Sequence, residues 1–321
     1  MDEVVHAGRT VRLVRDHLLL DDDGPPLSVE RSRPAGGPTR PAVLLVHGFA
    51  QNRYTWRISG RSFVGALVEQ GHEVLNLELR GHGLSRQAGS GNATSFEDYI
   101  EDVVRVVRRT EGPVFAIGHS LGGGAIVGAS SRVELAGIVP MAGLFTFATH
   151  NRLVRALGRA SLAARPLLGS VRMSTGWAGE LIARLYSVTD ILGYGFPLAG
   201  WTPGSLERDL LEERLALGFD WTSVDVWLEM SAWANGAPVP GMAAFGGVDT
   251  PLLVVAGDHD PLVHPDDARA CFEASGATDR TFVLFDRFHH DVHWGHVDLL
   301  LGRHAPEHVW PVVLDWLRER G

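Results

Sequence analysis

Apolar and polar positions along this chain fall first into short runs and then into a regular alternation. Strand-like runs at 11–14 and 27–31 predict an edge hairpin, and the turn-rich stretch 32–40 after them reads as a loop. Residues 42–46 form a continuous apolar run, the mark of a strand buried on both faces of a parallel sheet. Helical patterns at 62–70, 96–109 and 122–131 then interleave with strand patterns at 74–77, 114–117 and 137–140. Such alternation predicts a mostly parallel central sheet covered by helices, an α/β fold.

The rhythm stops near residue 144. Between 144 and 247 the pattern is helical (152–168, 206–217, 224–234), broken by Gly and Pro turns and without a convincing buried strand, which predicts a helical cap or lid insertion. Strand and helix then resume at 252–255, 265–274, 282–285 and 306–319. The expected organisation is therefore a core in two parts, 1–143 and 248–321, with the insertion at 144–247 between them.

Composition removes several function classes. A net charge of −9 over 321 residues offers no basic surface for a polyanion, so no nucleic-acid partner is expected. Arg105, Arg108 and Arg109 gather on one predicted helix, where a solvated face explains them. Cys271 is the single cysteine, which excludes an intramolecular disulfide and a four-thiolate zinc site. The first twenty residues lack the apolar centre of a signal peptide and no stretch is long and apolar enough to span a bilayer, so no transmembrane segment and a cytoplasmic location are expected.

Chemistry enters at Gly118-His119-Ser120-Leu121-Gly122, which stands between a predicted strand and a predicted small-residue helix. A chain turning that sharply strains its central residue and leaves no room for side chains two positions away, hence a glycine on each side of Ser120. The turn would raise the Ser120 hydroxyl above the sheet edge, next to helix N–H groups that favour an anion. A tetrahedral intermediate needs two fixed N–H donors, and the expected pair is Leu121 with Phe49 from the strand-ending turn His47-Gly48-Phe49. His47 itself is expected to hold that loop by hydrogen bonds.

A serine hydroxyl needs a histidine to take its proton and a carboxylate to orient that histidine. Gly257-Asp258-His259-Asp260 follows a buried strand and offers Asp260 as the acid, with Asp258 as rival. His289, His290, His293 and His296 crowd the loop before the last helix. His296, after Gly295, is the preferred base and His293 the alternative. The four imidazoles with Asp291 or Asp298 could also hold a metal, but a metal would leave the serine turn unexplained.

Together His47-Gly48-Phe49, Arg80-Gly81-His82-Gly83, Gly118 to Gly122, Gly257 to Asp260 and Gly295-His296 resemble, in order, the motifs of the α/β-hydrolase superfamily. The resemblance implies the α/β-hydrolase fold and a serine-esterase or lipase-like activity, with structural roles for Arg80 and His82. Serine at the turn, where other members carry aspartate or cysteine, points to esters, thioesters or lactones. Gly295-His296-Val297-Asp298 is similar to the histidine loop of acid lipases and polyester synthases, a hint toward acyl chains.

The function expected is hydrolysis of a small hydrophobic ester through an acyl-enzyme, with catalytic Ser120, Asp260 and His296 and oxyanion donors Phe49 and Leu121. No cofactor and no metal is required for it. The same residues would serve an acyltransferase or lactone-forming enzyme, and the fold alone would serve a low-turnover binding protein. Aromatic residues of the insertion, among them Trp177, Trp201, Trp221, Trp227 and Trp233, could line the pocket or form a core of their own.

Overall fold

Continuous apolar runs pair into one sheet because each has two faces to bury. The computed structural model describes residues 2–6, 9–22, 24–168, 172–174 and 200–321. Its main sheet contains β1 (Asp2–His6), β2 (Arg9–Leu20), β3 (Leu27–Pro34), β4 (Arg40–Val46) and β5 (His72–Glu78). It continues with β6 (Val114–His119), β7 (Gly137–Met141), β8 (Leu252–Gly257) and β9 (Arg280–Phe285). Their order across the sheet is β1-β2-β3-β5-β4-β6-β7-β8-β9. Pairing is antiparallel from β1 through β3 to β5 and parallel from β5 to β9.

The parallel strands serve two apolar cores at once. Val43 and Leu45 of β4 point into one and Leu44 and Val46 into the other; Leu253 and Val255 of β8 alternate in the same way with Leu252 and Val254. Helices α1 (Phe63–Glu69) and α8 (Ala305–Arg318) cover the first face. On the second face lie α2 (Phe96–Arg109), α3 (Leu121–Ala129) and α7 (Pro265–Ala274). Arg105 and Arg109 of α2 are tied to the amino-terminal hairpin, Arg105 donating to the Pro25 carbonyl and Arg109 pairing with Asp22. Cys271 is buried on α7, and burial pushes its thiol pKa up.

Between β7 and β8 the described residues form α4 (Arg152–Ala163), α5 (Arg208–Leu217) and α6 (Val224–Ala234). These helices share the cores of the sheet: Val154, Val226 and Met230 join one apolar cluster, Leu211 and Leu215 the other. One departure from the sequence pattern is a short antiparallel ribbon, Arg172–Ser174 with Trp221–Ser223, three residues a side and too brief to give a periodic signal. Another is the amino-terminal edge. The strand expected at 11–14 runs from Arg9 to Leu20, and β1 pairs beyond it. Edge strands with a wet face carry Arg and Asp freely, which hides them from an apolar pattern. No helix among the described residues is long and apolar enough to cross a membrane.

Candidate active site

β6 ends at His119 and α3 begins at Leu121, so Ser120 makes the turn alone, with φ 55° and ψ −120°. This left-handed conformation is strained for serine and must be held by its surroundings. Three main-chain bonds hold it: Ser120 N–H donates to Met141 O (3.2 Å), while Ser120 O accepts from Gly124 N (3.3 Å) and Leu144 N (2.9 Å). The flanking glycines are there for close approach. A Cβ on Gly118 would lie 2.3 Å from Gly122 O, and one on Gly122 would lie 2.4 Å from Val46 O.

Two aspartate–histidine pairs stand beyond the ends of β8 and β9. His296 Nδ1–H donates to Asp260 Oδ2 at 2.6 Å, and both side chains are buried. The other carboxylate oxygen of Asp260 accepts Leu262 N–H (2.8 Å) and Val263 N–H (2.9 Å), which fixes its orientation. His293 Nδ1–H donates to Asp258 Oδ2, also at 2.6 Å, but this pair is partly exposed, and Asp258 Oδ1 is occupied by Trp294 N–H at 2.8 Å. Asp258 and His293 thus pair with each other. His296 shares a cavity of about 340 Å³ with Ser120, whereas His293 lines a different one.

The turn after β4 contributes the remaining wall. His47 is fully buried; its Nδ1 donates to Gly48 O (2.9 Å) and its Nε2 accepts Leu79 N–H (3.1 Å). Burial lowers its pKa to about 4, so it stays neutral and braces the loop. Arg80 similarly binds Asp102 and Asp98, and His82 Nδ1 donates to Arg80 O. Leu121 N–H is the first of α3 and has no acceptor within its helix. Phe49 N–H has none among the described residues, and the Phe49 ring lines the cavity.

The alpha/beta hydrolase family model matches residues 43–316. The chain belongs to that family. A Schizosaccharomyces pombe (strain 972 / ATCC 24843) protein provisionally named monoglyceride lipase is 24% identical over 262 residues, 78% of this chain. That match spans 62% of the yeast protein's length. Among solved structures, a soluble variant of monoglyceride lipase from Saccharomyces cerevisiae in complex with a substrate analog superposes with a TM-score of 0.67 at 16% identity, covering 98% of this chain and 97% of that one. The monoacylglycerol lipase of Paleococcus ferrophilus gives 0.59 at 17% identity, with 97% and 100% covered.

Several residues that position this α/β-hydrolase site do not stand out in the sequence. Asp298, fully buried, accepts Gly295 N–H (2.8 Å), Thr202 N–H (2.9 Å) and the Ser205 hydroxyl (2.6 Å), and so pins the loop that carries His296. With its oxygens so engaged, it is no metal partner for the histidine loop. His289, His290, His293 and His296 belong to none of the groupings of metal-type ligand atoms found among the described residues. His119 stacks near His296, ring centroids 4.5 Å apart, with its Nε2 3.1 Å from the His296 carbonyl. Gln51 Oε1 accepts Gly48 N–H (3.3 Å) and the Thr55 hydroxyl (2.9 Å), steadying the Phe49 turn.

The aromatic residues of 144–247 divide between both expected roles. Phe147, Trp201, Phe219 and Trp227 line the cavity, whereas Trp233 packs edge-on against Phe96 and Phe245 against Phe145. Trp177 and Phe196 lie outside the described residues.

Proposed function

We propose that this α/β hydrolase cleaves carboxylic esters, with thioesters and lactones in the same chemical class, through an acyl-enzyme on Ser120. One observation carries the reading: His296 is engaged at Nδ1 by buried Asp260, 2.6 Å away, while its ring lines the cavity that holds Ser120. A proton fixed on Nδ1 leaves the Nε2 lone pair free to take the Ser120 proton.

As the Ser120 oxygen attacks the carbonyl carbon, its proton passes to His296 Nε2, and the imidazolium formed is stabilised by the Asp260 carboxylate. Negative charge develops on the carbonyl oxygen, where Phe49 and Leu121 N–H groups are the proposed donors. His296 then protonates the departing alcohol. Water enters, loses a proton to the same nitrogen and releases the acid. None of these steps calls for a cofactor.

The cavity wall supports a hydrophobic substrate, since Phe49, Phe147, Trp201, Leu211 and Trp227 supply much of it. Four of these five come from 144–247, which supports reading that segment as a lid over the site. The names of the lipase relatives favour an acyl ester.

The test is Ser120→Ala. Turnover of p-nitrophenyl esters should fall at least about 10⁴-fold and fluorophosphonate labelling should vanish, with the melting temperature retained. Substantial residual turnover or labelling in the folded variant overturns the assignment.

A further inference from the structure

Arg214 lies on the apolar side of α5, between Leu211 and Leu215, and all three line the cavity that contains Ser120 and His296. Its side chain is nearly inaccessible, at 4% exposure. Nε and Nη1 are enclosed without a hydrogen-bond partner, and no carboxylate pairs with the guanidinium among the described residues. Gly218 makes room for it, because a Cβ there would run into the guanidinium. The Phe219 ring, 5.6 Å from Cζ, offers a π face. Burial lowers the pKa to about 10, which leaves Arg214 charged at neutral pH.

A buried charge without a counter-ion costs several kcal/mol, and a cation–π contact returns about 2 kcal/mol at most. The deficit is removed if a ligand entering the cavity brings the missing anion. Guanidinium suits that task, since its planar fork binds a carboxylate or phosphate through two parallel hydrogen bonds. The rest of the wall is apolar, so the complementary molecule is amphipathic.

We infer that Arg214 receives an anionic group of the substrate, so that this site takes an ester whose chain also carries a carboxylate or phosphate. The inference rests on the Ser120 reading for where the ester goes, but anion binding at Arg214 stands on its own geometry. It makes Arg214 a specificity-determining residue.

The experiment compares p-nitrophenyl esters of one chain length ending in methyl, carboxylate or phosphate. In the unaltered protein kcat/KM should favour an anionic ester over the methyl ester by about tenfold or more, and the carboxylate and phosphate arms decide which oxyanion fits. Arg214→Met, which keeps the apolar length, should bring that ratio to about one. A ratio near one in the unaltered protein, or a ratio that Arg214→Met leaves unchanged because both esters lose activity equally, overturns the inference.

Calorimetry on Ser120→Ala separates this result from the fate of the catalytic reading. Matched free carboxylates and phosphates should bind, and adding Arg214→Met should weaken them about tenfold or more. Anion affinity that is absent, or indifferent to Arg214, sinks the inference whether or not Ser120 proves to be the nucleophile.

Discussion

Asp260→Asn isolates the physical role of the carboxylate with little change of shape. Asp260 Oδ1 accepts two main-chain N–H groups, from Leu262 and Val263, at 2.8 and 2.9 Å. An asparagine must keep its oxygen there, because turning the amide would set its NH₂ against both donors. The amide nitrogen then faces His296 Nδ1, which stood 2.6 Å from a carboxylate oxygen. Two donors cannot share that space, so the imidazole shifts its proton to Nε2 and no longer has a lone pair for Ser120. The wrong tautomer and the lost imidazolium stabilisation together should lower kcat by about 10³ to 10⁴, or roughly 4 to 5.5 kcal/mol. Steady-state hydrolysis of a p-nitrophenyl ester measures it, with fluorophosphonate labelling slowed in parallel and the melting curve as the control for folding. Asp258→Asn is the companion, since it breaks the partly exposed pair with His293 and should leave kcat within about threefold. If folded Asp260→Asn keeps kcat within tenfold of the original, or if Asp258→Asn is the variant that collapses, the proton route drawn here is wrong.

Further outcomes follow from the same geometry. Gly122→Ala would put a methyl 2.4 Å from Val46 O and 2.5 Å from His47 O, both main chain, so a loss of about 3 kcal/mol or more in urea unfolding is expected. Gly36→Ala, with nothing within 4 Å, should stay within about 1 kcal/mol, and equal effects of the two would refute the close-approach argument. Burial raises the Asp298 pKa to about 6, chiefly against the hydrogen bonds from Ser205, Gly295 and Thr202 that lower it. Because the folded value lies above the unfolded one, the stability linked to the protonated form is complete below about pH 4 and is lost as pH rises through about 6. Relative to Asp298→Asn, the unaltered protein should therefore lose about 3 kcal/mol over that window, and parallel stability–pH curves would contradict this. Arg214→Met should hold or raise the melting temperature, as removal of an unpaired buried charge does; a large drop would mean that the guanidinium has a partner in the folded state.

Much of the sheet was legible because burial on both faces leaves an unmistakable mark. The runs at 42–46, 114–117 and 252–255 are apolar at every position, and each feeds alternate side chains to the two cores. Local steric rules served the serine turn equally well, for Gly118 and Gly122 are called for by contacts within a few residues or with the adjacent strand. Arg214 left a fainter trace. Leu211, Arg214 and Leu215 follow the spacing of a helix's apolar side, and a charged residue there is a signal in itself.

Which aspartate meets which histidine was a different kind of question. Asp258 and Asp260 are two residues apart, His293 and His296 three, and either acid could be written beside either base from the chain alone. The choice was made by how the loops after β8 and β9 dock: Trp294 O accepts His259 N–H, Val297 N–H reaches Gly200 O, and Asp298 gathers Gly295, Thr202 and Ser205. The sequence by itself determined the sheet, the serine turn and the residue types available for proton transfer, since those follow from periodicity and short-range sterics. Only the tertiary structure decided the pairing of acids with bases and left a guanidinium without a counter-ion beside the serine, because both depend on contacts between segments distant along the chain.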